Sequence, residues 1–320
     1  MAEVSQQGHT AMSNSSNTTQ NFDTFEEALS KNLTVVLCGL FIFYVNGALV
    51  RIYFSAPSFS QEARYVLYIH LVLNDMLLVM FSVLLHVLAY QPGAIRVPLC
   101  YILVLASGTT FRNTPLILAG MAVERFVAVC LPLHHGHLCT ADRARVFNAA
   151  TWCVSSIPSL ADLFLSLSER SLQFYISDIL CYHANLFISP LHQVISAAGN
   201  GICMAFVWAT LFYTYVHVLC AARAVSSKGQ AQKAQRTILL HASQLLLCML
   251  SYISPVFDRI LISMFPLLPT KVLFGSFVVA HLLPRVLSPL IYGIRDKAFK
   301  KHLKGALLCQ RGTSTIKVHV

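Results

Sequence analysis

The stretch CYILVLASGTTFRNTPLILAGMAVERF, residues 100–126, decides the fold of this 320-residue chain. It opens on Cys100, stays mostly apolar and closes on Glu124-Arg125-Phe126. Twenty-five positions separate Cys100 from Arg125. A helix rising ~1.5 Å per residue covers about 37 Å in that distance, a bilayer core with its interfaces. A cysteine suits an oxidising face and a charged triplet suits the cytosolic one. This one crossing already implies a membrane protein with an outside and an inside.

Apolar runs at 33–54, 65–90, 144–166, 190–222, 234–264 and 271–293 join the central one, which extends over 98–131. Each reaches the roughly 20 residues that a transmembrane helix needs. The chain is 56% hydrophobic and only 11% charged, where soluble domains hold about 25% charged residues. The connections leave no room for a soluble catalytic domain. The expected fold is an all-α membrane protein, a seven-transmembrane helix bundle over 33–293. A polar tail at 1–32 precedes it, and a cytoplasmic tail at 294–320 follows. Basic and apolar residues alternate through 295–308, as in a short amphipathic eighth helix resting on membrane lipids. No inverted pair of broken helices suggests a transporter.

The net charge of +10 is distributed by side. With the amino terminus outside, sixteen Lys and Arg fall on the inner face, including Arg51, Arg64, Arg125, Arg143, Arg145, the 228–236 loop and the 295–317 tail. Four fall outside: Lys31, Arg96, Arg170 and Lys271. That is the positive-inside bias. Basic groups gathered at membrane ends, rather than on one soluble face, argue against a nucleic-acid partner. The segment assigned outside holds three glycosylation sequons, at Asn14, Asn17 and Asn32, the last close to the membrane. Of ten cysteines, only Cys100 and Cys181 fall at the outer face. A bridge between them, tying the loop after the fourth run to the third, is the economical inference. Cys309, after the basic amphipathic stretch, is a candidate for acylation.

Asn46, Asn74-Asp75, Trp152, Pro255 and Ser288-Pro289-Leu290-Ile291-Tyr292 follow in order along the runs. With the cysteine pair and Glu124-Arg125-Phe126, they resemble the rhodopsin-like (class A) G-protein-coupled receptors over nearly the whole chain. Finer features are similar to the odorant-receptor branch: 121–134 with its Cys-Leu-Pro-Leu-His ending, Lys233 with Thr237 and His241, and 289–297. Glu124, Asn113-Thr-Pro115 and Leu283-Pro-Arg285 resemble fish odorant receptors in particular. Phe126 stands where the family has Tyr, Ser288 where it has Asn, and the second outer loop has a single cysteine.

The resemblance implies a receptor that binds a small odorant from outside and activates a heterotrimeric G protein of the stimulatory olfactory type, in the plasma membrane of olfactory cilia. A class A receptor for a lipid or peptide is the alternative. The resemblance implies no cofactor and no enzyme activity. No lysine lies mid-way along the seventh run to carry a retinal Schiff base. The His134-His135-Gly136-His137 cluster has only Cys139 and Asp142 nearby, a poor metal site. The candidate coupling residues are Glu124, Arg125, Phe126, Tyr215, His241, Pro289 and Tyr292. The sixth run offers no inner carboxylate to Arg125, so Glu124, with Tyr215, His241 or Tyr292, is the expected resting partner. Asp75 lies eleven residues in from the inner Arg64, and Arg285 ten residues in from the inner Arg295. Both are thus about 15 Å deep, and buried charges at one depth are expected to pair.

The expected ligand pocket lies between runs 3, 5, 6 and 7. Its candidates are Ser107, Gly108, Phe111, Arg112, Met204, Phe206, Tyr252, Phe257 and Asp258. Arg112 either pairs with Asp162 or points into the pocket to bind an anionic odorant. Arg259 and Lys271 add positive potential at the rim.

Overall fold

The structure is a computed structural model. It describes residues 24–55, 57–90, 95–181, 183–187, 189–224 and 228–288. Among these described residues, seven helices are long and apolar enough to cross a membrane: α1 Phe25–Ser55, α2 Ala63–Tyr90, α3 Val97–Cys130, α4 Ala141–Glu169, α5 Pro190–Ala224, α6 Lys228–Met264 and α7. The last starts at Pro269, widens to a π-helix over Phe277–Leu282 and reaches Ser288. The basic tail with its expected eighth helix and Cys309, the sequons at Asn14 and Asn17, and Pro289 and Tyr292 all lie outside the described residues.

Two helices begin at side-chain caps ahead of their apolar runs, because capping rather than hydropathy sets those starts. Glu27 N–H donates to Thr24 Oγ1 (3.3 Å) and Thr24 N–H to Glu27 Oε2 (3.3 Å). This reciprocal box starts α1 at Phe25, well before residue 33. Asn32 is consequently a helical residue. In α4, Thr140 Oγ1 accepts from Arg143 N–H (3.3 Å) and sets the start. That helix continues past Pro158 and Asp162 to Glu169.

A two-stranded ribbon, β1 Ile95–Arg96 with β2 Asp178–Ile179, pairs antiparallel with Ile95 opposite Ile179. It holds the loop after α4 against the start of α3, where Cys181 is disulfide-bonded to Cys100 (Cα–Cα 5.5 Å). Helix α3 is the most buried of the seven and stands at the centre. Large apolar side chains on the outer faces, such as Tyr44, Phe164, Ile202 and Phe212, point away from the bundle. That inversion is stable only against lipid, where helices keep every backbone bond internal.

Prolines interrupt that accounting. Each removes an N–H and frees the carbonyl four residues earlier. Neighbouring side chains take three of these carbonyls. Pro115 frees Phe111 O, which accepts from Tyr252 Oη (3.1 Å). Pro255 frees Ser251 O, which accepts from Ser254 Oγ (3.1 Å). Pro284 cannot donate to Ala280 O, and Ser251 Oγ donates there instead. Helix α6 is thereby tied to α3 and α7 through backbone carbonyls.

Candidate ligand cavity and charged end

At the disulfide end, α2, α3, α6 and α7 splay around a cavity of about 510 Å³. Ser82, Ser107, Phe111, Pro255, Phe277 and Cys181 are among its lining residues, so the bridged loop forms part of its roof. One wall is a continuous run of rings. His86 stacks on Phe277 (5.2 Å), Phe277 on His281 (5.8 Å), His281 lies 6.0 Å from Phe111, and Phe111 stacks on Tyr252 (4.3 Å). Aromatic pairs at these separations add attraction beyond area burial and hold the wall in register.

Of the expected pocket residues, Ser107, Gly108 and Phe111 line the cavity. The others do not. Tyr252 stands behind Phe111. Met204 packs into the bundle core. Phe206 and Phe257 are 60% and 52% exposed on outward faces. Asp258 lies beyond the lining, one turn from Pro255. The cavity draws on α2 in place of α5, because α5 packs closely on α3 and α4. Gly199 is part of that contact: a methyl there would meet Pro158 at 2.7 Å.

Arg112 is corrected most. It turns away from the cavity into the α3–α4 seam, where Nε donates to Ser155 O (3.2 Å) and a terminal nitrogen donates to Ser159 Oγ. Gly108 makes room for it, since a methyl there would sit 3.2 Å from the guanidinium. Asp162, its expected partner, instead accepts from His192 Nδ1 (3.0 Å), whose other nitrogen lies 3.6 Å from Glu169. A proline-containing stretch rich in serine on α4 supplied the carbonyl and the hydroxyl that sequence spacing could not assign. Lys271 likewise pairs with Glu27 (3.0 Å) and does not stand free at a rim.

Midway through the bundle, Arg285 Nε lies 3.5 Å from Asp75 Oδ1, the two side chains 2% and 1% exposed. Thr114 Oγ1 donates to the same oxygen (3.3 Å). Asn74 Nδ2 donates to Thr110 O (3.0 Å) and Thr114 Oγ1 (2.9 Å), and Asn113 Nδ2 donates to Asn74 Oδ1 (3.0 Å). Of these bonds only the one from Thr114 reaches the ion pair itself; the asparagine bonds join α2 to α3 beside it.

At the other end, Glu124 is buried and bound twice. Arg125 Nε lies 3.4 Å from Oε2, and His135 Nε2 donates to Oε1 (3.2 Å). His135 belongs to the short helix Pro132–Leu138, which the hydropathy pattern did not show. These residues line a cleft of about 510 Å³ with Glu62, Arg64 and Thr140. Burial and the Glu124 carboxylate push the neighbouring Cys139 thiol up, against the opposing effect of Arg143. Phe126 meets Tyr213 (5.7 Å) and His217 (5.9 Å) on α5. Tyr215 packs between α5 and α6 beside Met249. The side chain of His241 lies outside the described residues. Among the described residues, no three His, Cys, Asp or Glu gather as a metal site.

Residues 45–292 match the 7 transmembrane receptor (rhodopsin family). The chain belongs to that family. It is a multi-pass membrane receptor, and the family is not one of enzymes. The receptor is 29% identical to odorant receptor 131-2 of Danio rerio over 282 residues, 87% of this chain and 86% of the relative. It is 24% identical to human olfactory receptor 1M1 over 86% of this chain and 87% of that one. It is also 24% identical to human olfactory receptor 56A1 over 91% of this chain and 92% of the relative.

Proposed function

We propose that the receptor detects a small odorant in the ring-walled cavity and passes the event to a heterotrimeric G protein at the Glu124–Arg125 end. One observation carries the reading. The cavity touches the residues that tie α6 to its neighbours: Phe111 and Ser251 both line it, and both take part in proline-linked bonds. An occupant that prefers a different spacing of α3, α6 and α7 shifts the population of those bonds. Helix α6 then moves at its far end, and Arg125 leaves Glu124 to meet the partner, with Arg143 and the basic 228–236 loop nearby. The names of the relatives support odorants as ligands, and a stimulatory olfactory-type G protein is the partner this reading expects. The disulfide end faces outside, and the plasma membrane of olfactory cilia is the expected site.

Cells carrying the receptor with an epitope at each end test this. The amino-terminal epitope is expected on unpermeabilised cells and the carboxyl-terminal one only after permeabilisation. A cAMP rise is expected on challenge with a panel of neutral volatiles, carboxylates, sulfates and amines. Reversed epitopes, or a surface-displayed receptor silent to every compound, overturn the reading.

A further inference from the structure

The ligand class can be taken further, on the assumption that the cavity is the odorant site. Three observations bear on it. First, among the described residues, the lining contains no Asp, Glu, Lys or Arg. Arg112 is spent on α4, and Arg285 on Asp75. A ligand with a formal charge would therefore be desolvated against rings and serines with no counter-ion, which is unfavourable. Second, His86, Phe277, His281 and Phe111 form one side of the cavity, an aromatic wall against which another ring can pack.

The third observation concerns one proton. Ser254 has a single hydroxyl hydrogen, and the carbonyl freed by Pro255 takes it, at 3.1 Å. The 3.4 Å contact between Ser254 Oγ and His281 Nε2 then requires the imidazole to donate. A neutral imidazole that donates from Nε2 keeps a lone pair on Nδ1. The Ser251 hydroxyl on the same wall is likewise committed, to Ala280 O. His281, which lines the cavity, therefore presents an acceptor.

We infer that the cavity selects neutral, ring-bearing ligands with one hydrogen-bond donor, such as aromatic alcohols and phenols, and that His281 accepts that donor. Anions and ammonium ions are poor ligands. Asp258, outside the lining, does not make the site an amine site.

A matched set tests this on the displayed receptor by cAMP response: benzyl alcohol, phenol, benzyl methyl ether, toluene, benzoate, benzylamine and hexanol. Benzyl alcohol and phenol are expected to exceed the ether and toluene in potency by about tenfold, the worth of one good neutral hydrogen bond. Benzoate, benzylamine and hexanol fall below both alcohols. His281→Phe keeps a ring in the wall and removes the acceptor, so the alcohol should drop to the potency of the ether. The wild-type ranking needs no variant and stands even if that substitution lowers surface display. The inference is overturned if benzoate or benzylamine is the strongest agonist, if hexanol matches benzyl alcohol, or if His281→Phe keeps the alcohol-over-ether ratio. It is also overturned if all ring compounds are silent. A response confined to hexanol, benzoate or benzylamine removes the ligand class and leaves the odorant reading. Silence to every compound by a surface-displayed receptor removes both.

Discussion

The α2–α3–α4 seam and the α6–α7 seam solve the same problem, burying polar groups in lipid, by different means. In the first, side chains bond to one another in closed sets: Asn74 with Thr114 and Asn113, Trp152 Nε1 with His70 Nε2 (3.0 Å), and Thr109 with Ser159 (3.0 Å). In the second, hydroxyls stand in for N–H groups that prolines lack, and a cavity lies alongside. A closed set loses several bonds when one helix slides. A hydroxyl on a carbonyl can be exchanged for another at little cost. On the proposed reading, the first seam serves as a frame and the second as the moving part. Arg285, on α7, pins the moving part to Asp75 in the frame.

Breaking that pin should have the largest effect. Arg285→Ala leaves Asp75 buried without its cation, a loss of about 3–5 kcal/mol, and surface display should collapse. Combining Asp75→Asn with Arg285→Met should restore part of it. Wild-type display of the single variant, scored by flow cytometry, would undo the distinction between frame and moving part. Next is Asn74→Ala, which removes two donated bonds inside the frame. A loss of about 1–3 kcal/mol should lower the unfolding temperature in detergent while ligand ranking is retained. Changed ranking with unchanged stability would place the switch in the frame instead.

Ser251→Ala sharpens the comparison from the other side. It removes the hydroxyl on the carbonyl freed by Pro284, worth about 1 kcal/mol. Display should persist and ligand-independent cAMP should rise, as should that of Tyr252→Phe. A fall in display with no rise in basal signal would make these bonds structural. The smallest effect belongs to His135→Ala. Its bond to Glu124 is half-exposed, so the loss should stay under about 1 kcal/mol, visible only as a slight rise in basal cAMP at normal display.

Much of this was legible in the residues. Seven apolar runs, the lateral asymmetry of Lys and Arg, and a cysteine at the far end of α3 from Arg125 are one-dimensional signals, and the bundle follows from them. The depth argument that put Asp75 and Arg285 at one level used only helix rise, and the two lie at ion-pair distance. The Thr24–Glu27 capping box was also in the sequence, but hydropathy alone does not detect it. The rest was hidden for a physical reason. Arg112 reads as a buried cation that needs an acid, yet its partners are a carbonyl and a hydroxyl, and carbonyls exist at every residue. Phe206 and Phe257 read as pocket rings because an apolar face looks the same whether it meets ligand, helix or lipid.

Length, hydropathy and charge placement by themselves determined that this chain crosses a membrane seven times, because the bilayer imposes one thickness and one polarity rule on any helix within it. Which face of each helix turns inward was left to the packed bundle. Rotation about a helix axis changes no hydropathy sum, and only neighbouring helices distinguish one azimuth from another. The tertiary structure alone therefore placed Arg112 in the α4 seam, moved the cavity from α5 to α2, and matched three orphan carbonyls with Tyr252, Ser254 and Ser251.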